Sequence, residues 1–164
     1  MKFPVFRASE ILDMAIQIEH QGIEFYRMCA SARLPEEILK VFRHLMEQEQ
    51  LHVEIFSQMK AGVENYHLPE EYTGELQSYV DSFVKDQVFH GSVEALRQAD
   101  GIEDAFKAID FGIDIEQRSI LFYSAIKEAV RQSETKVIDD VISQEHGHIR
   151  SLLTLRHELE RRSA

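Results

Sequence analysis

The chain has 164 residues, 44% hydrophobic and 29% charged, long enough for one globular domain that buries about 70% of its unfolded surface. A formal net charge of −11 argues against nucleic acid or an anionic membrane as partner, and a single Cys leaves no internal disulfide and no Cys-x-x-Cys site. No run approaches the ~20 apolar residues of a membrane span, and the start, Met1-Lys2-Phe3-Pro4-Val5-Phe6-Arg7, meets charge too soon for a signal-peptide core, so a cytoplasmic protein is expected.

Seven Gly, three Pro and no Trp favour helices over strands. Ser9 can cap a first helix over 9–33, with apolar residues Leu12, Ile16, Ile23, Tyr26 and Ala30 at steps of three and four. Glu19 falls on that stripe, between Ile16 and Ile23. Leu34-Pro35-Glu36-Glu37 is a helix-start signal, with Pro at the entry and acids in the first turn. The second helix, 35–62, carries the stripe Ile38, Phe42, Leu45, Phe56 and Met59, which Glu49 and His52 continue.

Residues 63–100 are less regular. Pro69 and Gly74 punctuate them, and short helices are expected from Glu75 to Val84 and after Ser92. The length suits a crossover between two parallel helices. Its aromatic residues Tyr66, Tyr72, Tyr79, Phe83 and Phe89 could cover the bundle or form a dimer contact. Asp100-Gly101-Ile102-Glu103 reads as an N-cap with a capping box, opening a third helix over 101–131. Its stripe is Ala105, Ile109, Gly112, Ile120, Tyr123 and Val130, and it includes Glu116. The fourth helix, 133–160, carries Ile138, Val141, Leu152, Leu155 and Leu159 on the stripe, with Glu145 and His148 among them, before a basic, frayed Arg-Arg-Ser-Ala end. The expected fold is a single all-α domain over 1–164, a four-helix bundle with a long crossover between helices 2 and 3.

An internal repeat supports this division. Ile18-Glu19-x-x-x-Ile23-x-Phe25-Tyr26 recurs as Ile115-Glu116-x-x-x-Ile120-x-Phe122-Tyr123, and Gln48-Glu49-x-x-His52 recurs as Gln144-Glu145-x-x-His148. Residues three apart on a helix share a face, so each Glu-x-x-His aims a carboxylate and an imidazole into the core. The off-pattern polar residues are then Glu19, Glu49, His52, Glu116, Glu145 and His148: one Glu from each of two helices and a Glu-x-x-His from each of the other two. That is the donor layout of di-iron carboxylate bundles. Four buried carboxylates without cations would exhaust a stability of only ~5–15 kcal/mol, and two divalent ions neutralise all four. A third copy, Glu64-x-x-His67, lies off the stripe next to Pro69 and reads as solvated.

The pattern resembles the ferritin-like superfamily, and the rubrerythrin family in particular, over nearly the whole chain. The resemblance implies that Glu19 and Glu116 are terminal ligands, that Glu49 and Glu145 bridge two metals, and that His52 and His148 serve one each. Tyr26 and Tyr123 match tyrosines that hydrogen-bond the carboxylates in relatives; core packing is the alternative. There are two departures. Ser119 stands where rubrerythrins carry a further Glu, three residues after Glu116, and one Cys cannot build their rubredoxin domain. The donor set is also similar to the ferroxidase centre of bacterioferritins, but Gln50 stands where those carry a haem-ligating Met, so no haem is expected.

The resemblance implies two iron ions reacting with peroxide or O2, in peroxidase or ferroxidase fashion, with electrons from a separate donor. The alternative is an iron-binding, storage-related or structural di-metal protein without turnover, in which manganese or zinc could occupy the same ligands. A homo-oligomer, a dimer, is expected. His20 and His146 follow ligand candidates by one residue and are turned ~100° away from the core. Cys29 is read as buried packing, and Glu24 as a paired surface acid.

Overall fold

The computed structural model describes residues 8–63, 104–127 and 132–163, all but a few of them helical. The described helices are α1 (Ala8–Ala30), α2 (Glu36–Val63), α3 (Ala105–Ile126) and α4 (Gln132–Ser163). The expected crossover, the Glu64-x-x-His67 motif, Asp100 and Val130 lie outside the described residues.

Helix ends depart from the sequence expectation for local reasons. Ser9 lies inside α1, and α1 stops at Ala30, three residues early. There the chain tightens, with Ala32 N–H donating to Cys29 O at 3.2 Å. α2 then starts on the Pro35 carbonyl, which accepts from Ile38 N–H at 2.9 Å. The cap of α3 is Asp104, one helical turn beyond Asp100: its carboxylate accepts the N–H of Phe106 at 2.9 Å and of Lys107 at 3.3 Å. The basic end expected to fray is helical through Ser163. Arg161 and Arg162 sit at the negative pole of α4, and Arg162 pairs with Glu37 in the first turn of α2.

Cross-helix pairs give the directions of the four helices. Lys60 meets Asp13 at 2.8 Å, and His52 meets Glu19 at 3.5 Å, so α2 runs against α1. Arg156 meets Asp110 at 2.8 Å, and Lys127 meets Asp139, so α4 runs against α3. Tyr26 bonds Glu116 while Tyr123 bonds Glu19, so α3 also runs against α1. Since α2 and α3 are both antiparallel to α1, they are parallel to each other. Parallel neighbours in sequence need a connection spanning the length of the bundle, which is the topology of a ferritin-like fold.

Leu12, Ile38, Phe42, Leu45, Phe56, Ile109, Ile138, Val141 and Leu152 fill the shared interior. The buried face of α1 is wider than the expected stripe. Met14, Ile18, Phe25 and Cys29 are buried, while Ile16 and Ala30 are only partly so. The reason is that α1 packs on α2 along one side and on α3 along another, so a single line of apolar positions underestimates what it covers. Ile120 on α3 is likewise half-buried, and Ile115 takes its place in the core.

Candidate metal centre

Glu19, Glu49, His52, Glu116, Glu145 and His148 are all buried in a mostly apolar core. All six sit on helix interiors, where the backbone fixes their direction. Glu49 and His52, and Glu145 and His148, are each three residues apart and share a face.

The six converge in two overlapping groups. Glu19, Glu49, His52 and Glu145 form one, and Glu49, Glu116, Glu145 and His148 the other; within each group the candidate donor atoms lie within 4.8 Å of one another. His52 Nδ1 is 3.1 Å from Glu145 Oε1, 3.2 Å from Glu49 Oε2 and 3.5 Å from Glu19 Oε2. His148 Nδ1 is 2.7 Å from Glu145 Oε2, 3.1 Å from Glu49 Oε1 and 3.5 Å from Glu116 Oε1. Glu49 and Glu145 therefore each turn one oxygen to one imidazole and the other oxygen to the second. The two rings are roughly parallel, with centroids 5.5 Å apart.

His52 Nδ1 and Glu49 Oε2 are hydrogen-bonded, but the other close approaches are not ordinary hydrogen bonds. Glu49 Oε1, both carboxylate oxygens of Glu145 and His148 Nδ1 are shielded from solvent, yet none has a hydrogen-bond partner of acceptable geometry. The distances to His148 are short, but their angles fall outside hydrogen-bond geometry. An unsatisfied buried polar atom costs ~1–3 kcal/mol, and several in one place call for a cation. The donor set of carboxylates with one imidazole per group suits a hard to borderline divalent metal.

Electrostatics follow from burial. The Glu19 carboxyl is raised well above the ordinary range, first by desolvation and then by the charge of Glu49; Glu116 is raised in the same way. Burial alone would also raise Glu49, but the close Glu19 carboxyl and the His148 and His52 imidazoles outweigh it and hold Glu49 below its usual value. Burial alone would lower both imidazoles; the closeness of the surrounding carboxylates reverses this, raising His52 and pushing His148 up to about 12. Without a cation, protons neutralise the cluster. A divalent ion would displace them.

The carboxylates are held from outside by reciprocal phenols. Tyr26 on α1 donates to Glu116 on α3, and Tyr123 on α3 donates to Glu19 on α1. Burial, then the nearby carboxylates, raise both phenols well above the usual tyrosine value, so they remain protonated donors. Tyr26 stacks on Phe42 with centroids 6.1 Å apart, and Phe56 packs on Tyr123 at 5.1 Å. Phe42 and Phe56 lie seven residues before and after Glu49, so an aromatic pair closes the pocket about 10 Å away along the bundle on either side.

The rubrerythrin family profile matches residues 10–156. The chain belongs to the rubrerythrin family. Among solved structures, this family member is similar to a candidate ferritin-like diiron-carboxylate protein from Thermotoga maritima, at 29% identity and a TM-score of 0.69, over 96% of this chain and 99% of that one. No curated protein sequence matches it.

Other residues of this rubrerythrin-family chain fall into place around the cluster. Ser119, at the family's further Glu position, is buried. Its counterpart in the repeat, Gly22, lies against Glu49: a Cβ there would meet Glu49 Cγ at 3.5 Å. Gln50, next to Glu49, is exposed. His20 and His146 are exposed, as their offset from the stripe requires. Cys29 is fully buried and its thiol is pushed up by burial, which fits packing. Gln144 is the contact that the stripe pattern does not reveal: His52 Nε2 lies 3.1 Å from its Oε1. The sequence signal for it is the Gln that precedes the paired Glu in both halves of the repeat. No described helix is long and apolar enough to cross a membrane.

Proposed function

We propose that this rubrerythrin-family chain is a non-haem di-iron carboxylate protein that reduces peroxide or oxidises iron(II) with O2, taking electrons from a separate donor where reduction is net. The observation that carries this reading is the position of Glu49 and Glu145 between two imidazoles, one oxygen turned to each. Glu19, Glu49, His52 and Glu145 would hold one iron, and Glu49, Glu116, Glu145 and His148 the other. Bound iron would supply the one-electron redox chemistry that no side chain here possesses.

The residues of the chain supply everything else. Glu49 and Glu145 hold the two positions together with the charge of both carboxylates. His52 and His148 offer Nδ1 as neutral donors once their protons leave. The Tyr26 and Tyr123 hydroxyls fix the rotamers of Glu116 and Glu19 and keep a proton beside each. The aromatic and aliphatic core excludes water on most sides. Both imidazoles are buried, His52 at 0% and His148 at 5% exposure.

Ser119 favours a second reading, a di-metal protein without turnover, because the acid associated with the family's peroxidase cycle is replaced there by a hydroxyl. One experiment separates the two. Protein loaded anaerobically with iron(II) is mixed with O2 or peroxide while oxidant consumption and a ferric absorption band are followed. Consumption that disappears in Glu49→Ala supports the redox reading; two tightly held irons with no consumption support the second.

A further inference from the structure

We propose that Gln144 is a positioning residue for this centre: its side-chain oxygen accepts the Nε2–H of His52 and so holds that imidazole with Nδ1 turned toward the carboxylates. Both ends of the ring are defined. Nδ1 lies 3.1 to 3.5 Å from three carboxylate oxygens, and Nε2 lies 3.1 Å from Gln144 Oε1. A neutral imidazole that ligates through Nδ1 carries its proton on Nε2, where it can only donate, so the amide oxygen rather than the amide nitrogen must face it. His52 is fully buried, so water does not substitute for this partner.

Gln144 belongs to α4 and His52 to α2, and the bond therefore crosses from one hairpin to the other. Because Gln144 directly precedes Glu145, α4 supplies a bridging carboxylate and the partner of the opposite imidazole from consecutive residues. The choice of an amide also has a physical reason. It accepts the hydrogen bond without adding a fifth negative charge beside four buried carboxylates, which a Glu at the same place would do.

The inference rests on the di-metal reading, and the test keeps the two apart. Zinc(II), which has no redox chemistry, is titrated against a chromophoric chelator into the full chain, into Gln144→Leu and into Gln144→Glu, and nitrogen-15 histidine spectra are taken of each loaded form. If the unmodified chain fails to bind two zinc ions, the di-metal reading itself falls, whatever Gln144 does. If it binds two, Gln144→Leu should lose 10- to 100-fold in affinity at one position only. The other position should be retained, and the His52 Nε2–H signal should shift or exchange with solvent. Gln144→Glu restores an acceptor at the cost of a further buried charge, and should recover part of the lost affinity and the His52 Nε2–H signal. Two unchanged affinities and an unchanged His52 signal in Gln144→Leu would overturn the proposal. So would an equal loss at both positions that Gln144→Glu does not repair, since that describes general damage to the bundle.

Discussion

Each of Glu19 and Glu116 is buried with a phenol as its hydrogen-bond donor, and that donor comes from the other hairpin. Removing the hydroxyl in Tyr123→Phe keeps the ring against Phe56 but leaves Glu19 one donor short. The expected cost is about 1–3 kcal/mol, read as a lower denaturant midpoint of the chelator-treated protein, with a smaller loss once metal is bound. Two glycines make a sharper comparison. A Cβ at Gly112 would meet Leu152 Cδ1 at 3.1 Å and the Tyr26 hydroxyl at 3.5 Å, whereas one at Gly62 meets nothing within 4 Å. Gly62→Ala should therefore give the usual helix gain of roughly 0.5–1 kcal/mol, and Gly112→Ala should not, because the crowding against Leu152 offsets it. Denaturant melts of both variants check this. The acids and imidazoles that the structure brings together were legible in the sequence because each interrupts an apolar stripe and each has a partner in the repeat. Gln144 was not. The Gln before each paired Glu marks the position, but a half-buried Gln reads the same as a solvated one, and which ring it touches depends on how α4 packs beside α2.

At the scale of elements, the points where helices start and stop are the least legible in the sequence. Asp100 and Asp104 are four residues apart, one helical turn, and either can cap the same helix in phase; the structure uses Asp104. Asp104→Ala should cost about 1 kcal/mol and lower the melting temperature by about 2–4 °C. The order and pairing of the helices were more legible, because the repeat of a lone Glu, a paired Glu-x-x-His and a Tyr marks corresponding levels in the two halves. The width of the α1 face was not. It depends on contact with two neighbours at once, and single-helix periodicity contains nothing about the second. The helical C-terminal end was missed for a similar reason, since Arg162 finds Glu37 from a distant part of the chain.

At the scale of the whole molecule, proton and metal compete for one cluster. His148 is raised from its ordinary 6.5 to about 12. Its imidazolium therefore contributes stability that is complete below about pH 6.5 and is lost as pH climbs toward 12. Glu19 and Glu116, also raised, have the same sign from 4.5 upward. Glu49, held low, has the opposite sign and matters only on the acid side. The metal-free protein should thus become less stable between pH 7 and pH 9, while the metal binds more tightly as the ligand protons leave. Thermal melts of chelated and loaded protein at both values should show a gap that widens at the higher pH. A constant gap would mean that metal and proton do not share these side chains.

The reciprocity of the two hairpins has a further consequence. Glu19, Glu49, His52 and Tyr26 all lie on α1 and α2, and α3 and α4 answer them one for one. Two identical chains spanning residues 8–63, related by a twofold axis, would therefore assemble an equivalent centre, each Tyr26 reaching the Glu19 of its mate. Among the described residues every donor of the cluster belongs to one hairpin or has its counterpart in the other, so half the chain used twice would carry the same donor set.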